Sequence, residues 1–271
     1  MPDKKSKGSY YRPKYNFDKS VKAVVKEELA RELEEKNAIV QYDTIPILRN
    51  IPSGIVFNGQ GNFFQIMPAI AQSTPSGTGR AYNERIGNEI ILKKLKIRYF
   101  LNYVSPDALE SRPQDYKIGV RVMVLKCKEF GDVAKAFDAM PTDKILRFGT
   151  YSSTSGPGPY GGDPLDMQAE INRDVFTVRY DKLHTLTAPV SIDGATGVDT
   201  IAPPSGLKFG EYDMTFGKSG LKLKFTDLND EIANNFGYFI AVGYSSLSDP
   251  NKPASSLAEM TLNCSASFTD A

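Results

Sequence analysis

The tightest constraint on the fold is Lys94 to Tyr103, KLKIRYFLNY, in which two sets of side chains alternate without a break. Leu95, Ile97, Tyr99, Leu101 and Tyr103 fall on one side; Lys94, Lys96, Arg98, Phe100 and Asn102 fall on the other. Period two in a stretch rich in β-branched and aromatic types specifies a half-buried β-strand. At ~3.3 Å per residue it runs roughly 33 Å, long for a globular protein. One face is apolar and the other carries three cations, so this strand is expected near the centre of a large β-sandwich.

Other segments repeat the signal. Lys117 to Lys128 has Ile118, Val120, Val122 and Val124 on one face and Arg121, Met123, Leu125 and Cys127 on the other. It is apolar on nearly both sides, as a central strand would be. Asp174 to Leu186, Leu221 to Phe225, Phe236 to Tyr244 and Met260 to Thr269 read as further strands. Ile55, Phe57, Phe63, Phe64, Ile66 and Met67 mark a first strand region, broken by a turn at Asn58 to Gly61. Asp132 to Met140 reads as a short helix. About eight strand regions make the expected fold all-β, a single jelly-roll β-sandwich. Two long Gly/Pro-containing connections interrupt it, Tyr151 to Asp166 and 188–215, and read as outward or subunit-contacting surfaces.

The sandwich is expected over residues 54–271, with 1–53 forming a basic arm, a short helix and a linker. Val21, Val25, Leu29 and Leu33 recur at helical spacing, with Asn37 as a C-terminal stop. Lysines crowd the first half of this helix and glutamates the second, an order that opposes the helix dipole. Its apolar stripe is expected to dock on the sandwich or on another subunit. Thr44 to Ser53, with two prolines, reads as an extended linker.

Net charge is +1 over 271 residues, so no global field selects a partner. The distribution is uneven. Residues 1–26 hold eight Lys/Arg against two Asp, and residues 27–43 hold six acids against Arg31 and Lys36. Lys4, Lys5, Lys7, Arg12, Lys14, Lys19 and Lys22 are interleaved with Tyr10, Tyr11, Tyr15 and Phe17. Cations follow phosphates and rings stack on unpaired bases, so the arm is either a nucleic-acid tether or a solvated tail. Lys94, Lys96 and Arg98, with Lys222 and Lys224, form either a solvated sheet face or a basic wall facing a polyanion.

Catalytic and metal chemistry finds little support. His184 is the only histidine, and Cys127 and Cys264 lie far apart in apolar strand patterns, where buried free thiols are expected. A metal site needs several converging ligands. No GxSxG elbow presents a nucleophile. Gly217-Lys218-Ser219 lacks the glycine spacing of a phosphate loop and precedes a strand where that motif needs a helix. No cofactor and no enzymatic activity are expected. No apolar run has the length of a signal peptide or a membrane span, so no membrane partner is expected.

The order of elements carries a resemblance. An arm bearing cations comes first, then Arg85-Ile86-Gly87 leading into ILKKLKIRYFLNY, then KIGVRVMVLK, RDVFTVRYDKLHTL, GLKLKFTD, FGYFIAVGY and MTLNCSASF. This succession, over roughly residues 55–270, resembles the capsid proteins of circular Rep-encoding single-stranded DNA viruses, the circovirus-like group. The resemblance implies a jelly-roll subunit that self-assembles into a small icosahedral T=1 shell and packages single-stranded DNA. It implies a virion location, passage through host nucleus or cytoplasm during assembly, an unknown host receptor and an interior, genome-binding arm. The lysine-based arm here departs from the dense arginine run usual in circoviruses. A small RNA virus coat protein is a near variant of this reading, and a non-viral jelly-roll ligand or carbohydrate-binding protein is the alternative from another class.

Overall fold

The computed structural model describes residues 35–51, 62–73, 83–104, 117–131, 139–150, 155–187, 191–192, 200–201, 206–227, 229–247 and 256–271, together with Val21, Val24 and Val25. The chain divides into two units, Met1–Glu35 and Lys36–Ala271. In the first, Val21, Val24 and Val25 are helical; the docking of that helix and the arm cations lie outside the described residues.

The second unit has eight principal strands. They are β1 Lys36–Ile47, β2 Phe63–Gln65, β3 Glu89–Tyr103, β4 Lys117–Cys127, β5 Phe176–Thr187, β6 Leu207–Thr215, β7 Tyr238–Ser246 and β8 Ala258–Asp270. One sheet has the order β1-β8-β3-β6, with the short strand Leu221–Lys224 also pairing β3; the other has the order β2-β7-β4-β5. All these pairings are antiparallel. The first strand neighbours the last, the second the seventh, the third the sixth and the fourth the fifth. A long hairpin rolled into two layers has this order, and it is the jelly roll.

The alternation in sequence sets the layers. Leu95, Ile97, Tyr99 and Leu101 of β3 and Met260, Leu262, Cys264 and Phe268 of β8 meet Ile118, Val120, Val122 and Val124 of β4 and Ile240 and Val242 of β7 in one buried core. Cys127 and Cys264 are both buried and free. The opposite face of β4 is also buried, for a second reason. Met123, Leu125 and Cys127, with Phe239 and Ala241 of β7, pack under Leu146, Tyr160, Met167 and Ile171. These come from the β4–β5 connection, which forms a small sheet of Leu146–Phe148, Gly156–Gly158 and Glu170–Ile171. The second sheet is thus roofed, while among the described residues the outer face of the first is bare.

Arg121 of β4 fastens the roof. Its guanidinium grips the Asp181 carboxylate through Nε at 2.8 Å and Nη2 at 2.6 Å, and Nη1 donates to the carbonyls of Asp166 and Ala169. Gly243 of β7 leaves room for the Tyr160 ring, which a Cβ there would meet at 2.3 Å.

Three expectations are corrected. The sandwich begins at Lys36 and not at residue 54, because β1 pairs with β8 through Ala38, Val40 and Tyr42 and again through Ile45 and Ile47. Residues 36–37 are therefore strand, and 44–47 are strand where a linker was expected. Pro46 is tolerated because β1 is an edge strand, where a missing N–H costs no ladder bond. The Tyr151 to Asp166 connection is not simply displayed outward, since Tyr160 is fully buried in the roof. The 188–215 insertion contains β6, whose consequence is described below. Ile55, Phe57 and residues 132–138 of the helix expected over Asp132 to Met140 lie outside the described residues.

Candidate nucleic-acid interface

The bare face is built on β3, and its phase depends on one residue. Ile90 and Leu92 point inward, as do Leu95, Ile97 and Tyr99. Two odd-numbered and even-numbered sets can share a face only if one residue is extra. Lys93 is that residue: β8 pairs Ser267 with Lys94 and then Phe268 with Leu92. A bulge of this kind restores the inward set and sends Lys94, Lys96 and Arg98 outward.

β6 runs beside them and places acids opposite the cations. The Lys94 ammonium lies 2.5 Å from Asp213, and Lys96 lies 2.7 Å from Glu211. Arg98 Nε reaches the other oxygen of Glu211 at 3.3 Å. Lys222 pairs with Glu89 at 2.6 Å. Lys96 and the Arg98 guanidinium hold the Glu211 carboxyl below its usual range, and Lys222 does the same for Glu89. Such exposed pairs are worth ~0–1 kcal/mol each, yet they change the electrostatics of the face. Lys94, Lys96 and Arg98 do stand together on one solvent-facing surface, but with carboxylates of their own chain between them. A basic wall is therefore largely cancelled locally. Sequence reasoning missed this because Glu211 and Asp213 lie in a segment taken for an insertion.

Next to the ion pairs the face turns aromatic. Phe209 of β6 is 80% exposed, an unusual state for a phenyl ring. It lies against Phe100 of β3 with ring centroids 4.7 Å apart. Behind it, Gly210 admits the Tyr99 ring, which a Cβ would meet at 2.0 Å. Tyr99 crosses into the sandwich, where its hydroxyl lies 2.8 Å from that of Tyr180 and 2.7 Å from His184 Nε2. Burial, with Lys182 and Lys208 nearby, lowers the His184 pKa, and burial raises that of Tyr99. His184 is thus a buried neutral link between the sheets. Among the described residues no cluster of His, Cys, Asp or Glu is arranged to hold a metal ion.

Gly217 to Ser219 forms the turn between β6 and Leu221–Lys224, with Gly217 and Gly220 at positive φ. Its lysine is a turn residue. Among the described residues no helix is long and apolar enough to cross a membrane.

No protein-family profile matches the chain, and no curated protein matches it. Among solved structures, the chain is similar to a subunit of a KBV particle activated at acidic pH, at 10% identity and a TM-score of 0.31, over 87% of this chain and 71% of that one. It is similar to the same degree, 10% identity and TM-score 0.31, to a subunit of a full particle of Israeli acute paralysis virus heated to 63 degrees, over 86% of this chain and 68% of that one. Likeness at this level carries no weight for function.

Proposed function

We propose that the protein is the coat protein of a small circular single-stranded DNA virus, assembling with copies of itself into an icosahedral shell around the genome. The observation that carries this reading is the jelly-roll strand order of Lys36–Ala271 behind a segment in which residues 1–26 hold eight Lys/Arg against two Asp. The succession of motifs that resembles circovirus-like capsid proteins maps onto β3, β4, β5, Leu221–Lys224, β7 and β8 in order. An exposed apolar side chain at the edge of the bare sheet, Ile39 on β1, suits a subunit that associates.

In this reading the cations of the arm, Lys4, Lys5, Lys7, Arg12, Lys14, Lys19 and Lys22, do most of the genome neutralisation. Lys94, Lys96 and Arg98 contribute less because Glu211 and Asp213 offset two of their three charges. Binding then weakens steeply with salt through counterion release. Negative-stain microscopy of the purified chain across salt and pH is the test: closed particles of uniform size are expected, and only monomers or open oligomers under every condition refute the proposal. Co-purified nucleic acid digested by DNase and resistant to RNase supports a DNA cargo; the reverse supports an RNA virus.

A further inference from the structure

The strand register places two rows of side chains side by side on the bare sheet. One row is Thr261, Phe100 and Phe209, carried by β8, β3 and β6; the next is Asn263, Arg98 and Glu211 on the same three strands. The first row is mostly aromatic and the second mixes hydrogen-bond donors and acceptors. Between them lies an open groove of about 540 Å³ lined also by Tyr99 and Gly210, within the size range of small-ligand sites, ~300–1,000 Å³.

We propose that this groove binds one unpaired nucleobase of the packaged strand, an inference that rests on the coat-protein reading. Phe209 offers an exposed ring for stacking, and Phe100 sets its tilt at 46°. A base lying on the aromatic row brings its edge over the polar row. There Arg98 engages Glu211 only through Nε, so its two Nη groups remain as donors. The Asn263 amide, unpartnered among the described residues, offers both a donor and an acceptor, and Glu211 accepts from an exocyclic amine. Because Lys94 and Lys96 are held by Asp213 and Glu211, the groove is built for a base more than for a phosphate. A buried protein–protein contact fits less well, since interface cores are depleted of charged side chains.

The test uses the full chain as unassembled subunits and a fluorescent oligodeoxythymidylate or oligodeoxycytidylate of about eight nucleotides, within the site sizes of single-strand binders. Phe209→Ala is expected to weaken binding about tenfold, the loss of one stacked base. Phe209→Trp is expected to restore it, because a ring is what the site needs. Replacing Lys4, Lys5, Lys7, Arg12 and Lys14 by Gln is expected to remove most of the salt dependence while leaving the Phe209 effect intact. If Phe209→Ala binds like the wild type while the arm variant loses binding, the groove inference falls and the coat-protein reading survives. If Phe209→Ala binds normally and fails only to assemble, the groove is a subunit contact and the inference is overturned. If the wild-type chain binds no oligonucleotide at all, the packaging reading itself falls, and this inference with it.

Discussion

Arg85 offers the sharpest test of what holds this fold together. Its side chain is fully buried, and a fan of hydrogen bonds holds it. Nη1 donates to Gln72 Oε1 at 3.1 Å, the Gly87 carbonyl at 2.6 Å and Asn88 Oδ1 at 3.1 Å; Nη2 donates to the carbonyls of Asp227 and Asp230, each at 2.9 Å. The guanidinium also lies over the Phe225 ring, 4.3 Å from its centre. One planar fork thus ties together the approach to β3 and the loop after Leu221–Lys224. Arg85→Met keeps the length of the side chain and removes this donor from the Gly87 and Asp230 carbonyls and from the Gln72 and Asn88 side-chain oxygens, while the Asp227 carbonyl keeps the Asp230 N–H. At ~1–3 kcal/mol for each unpaired buried group, less the relief of no longer burying a charge, the net loss is about 3–5 kcal/mol. For a unit of this size that lowers Tm by roughly 6–20 °C. Arg85→Lys supplies three donors in place of the fork and should fall between the two. Differential scanning calorimetry of the three proteins measures this, with hydrogen exchange at residues 225–230 as a local readout. A Tm for Arg85→Met within about 2 °C of wild type would show that the fan of hydrogen bonds contributes little, and the reasoning would be refuted.

Three further outcomes follow from other sites. Gly210→Ala forces a Cβ into the Tyr99 ring, so it should destabilise by about 1–3 kcal/mol in chemical denaturation; an unchanged midpoint would mean that β6 shifts freely at the edge. The His184 pKa lies below its ordinary value of 6.5 in the folded chain, so the unfolded chain binds more protons just below pH 6.5. Stability is therefore full above that pH and falls as pH drops toward the folded pKa. His184→Gln should flatten this part of a Tm-against-pH curve, and an identical slope in the variant would exclude His184 as its source. Thr44 sits at φ 45° in the β1 irregularity, a conformation costly for a β-branched residue. Thr44→Gly should gain about 0.5–1 kcal/mol in a denaturant titration, and a loss would mean that the Thr44 hydroxyl bond to Asp43 outweighs the strain.

How much of this was legible in the sequence depended on whether each strand answered to one face or to several. β3, β4, β5, β7 and β8 were readable because their inward sets are unmixed: Ile118, Val120, Val122 and Val124 leave no other interpretation. Even the apolar outer face of β4 was visible, although the roof that explains it was not, because Tyr160 is set among glycines and prolines that read as surface. β1 was obscured by a helical pattern running into it and by Pro46. β6 was obscured by its own composition. Gly210 signals a turn in sequence but is there to admit Tyr99, and Phe209 breaks the polar outward set that Glu211 and Asp213 begin. The cation face was correctly placed from alternation alone. Its neutralisation was not, since ion pairing across strands depends on register, and the register of β6 has no local signature.

The irregularities at the sheet margins have a consequence for how copies of the chain can meet. On the bare sheet, β1 is broken between Tyr42 and Ile45, and the opposite margin is split into β6 and Leu221–Lys224 by the Gly217–Gly220 turn. On the roofed sheet, β2 has only three residues, and β5 carries an extra residue, Arg179, opposite Val124 and Leu125. Among the described residues, three of the four margins are short or interrupted, which works against a long, flat ladder of free N–H and C=O groups. Growth by adding strand to strand, the route to open-ended fibres, is disfavoured at those margins. In the assembly proposed above, copies of the chain would join through side chains and loops, at angles those contacts fix, and fixed angles are what allow an assembly to close and stop growing.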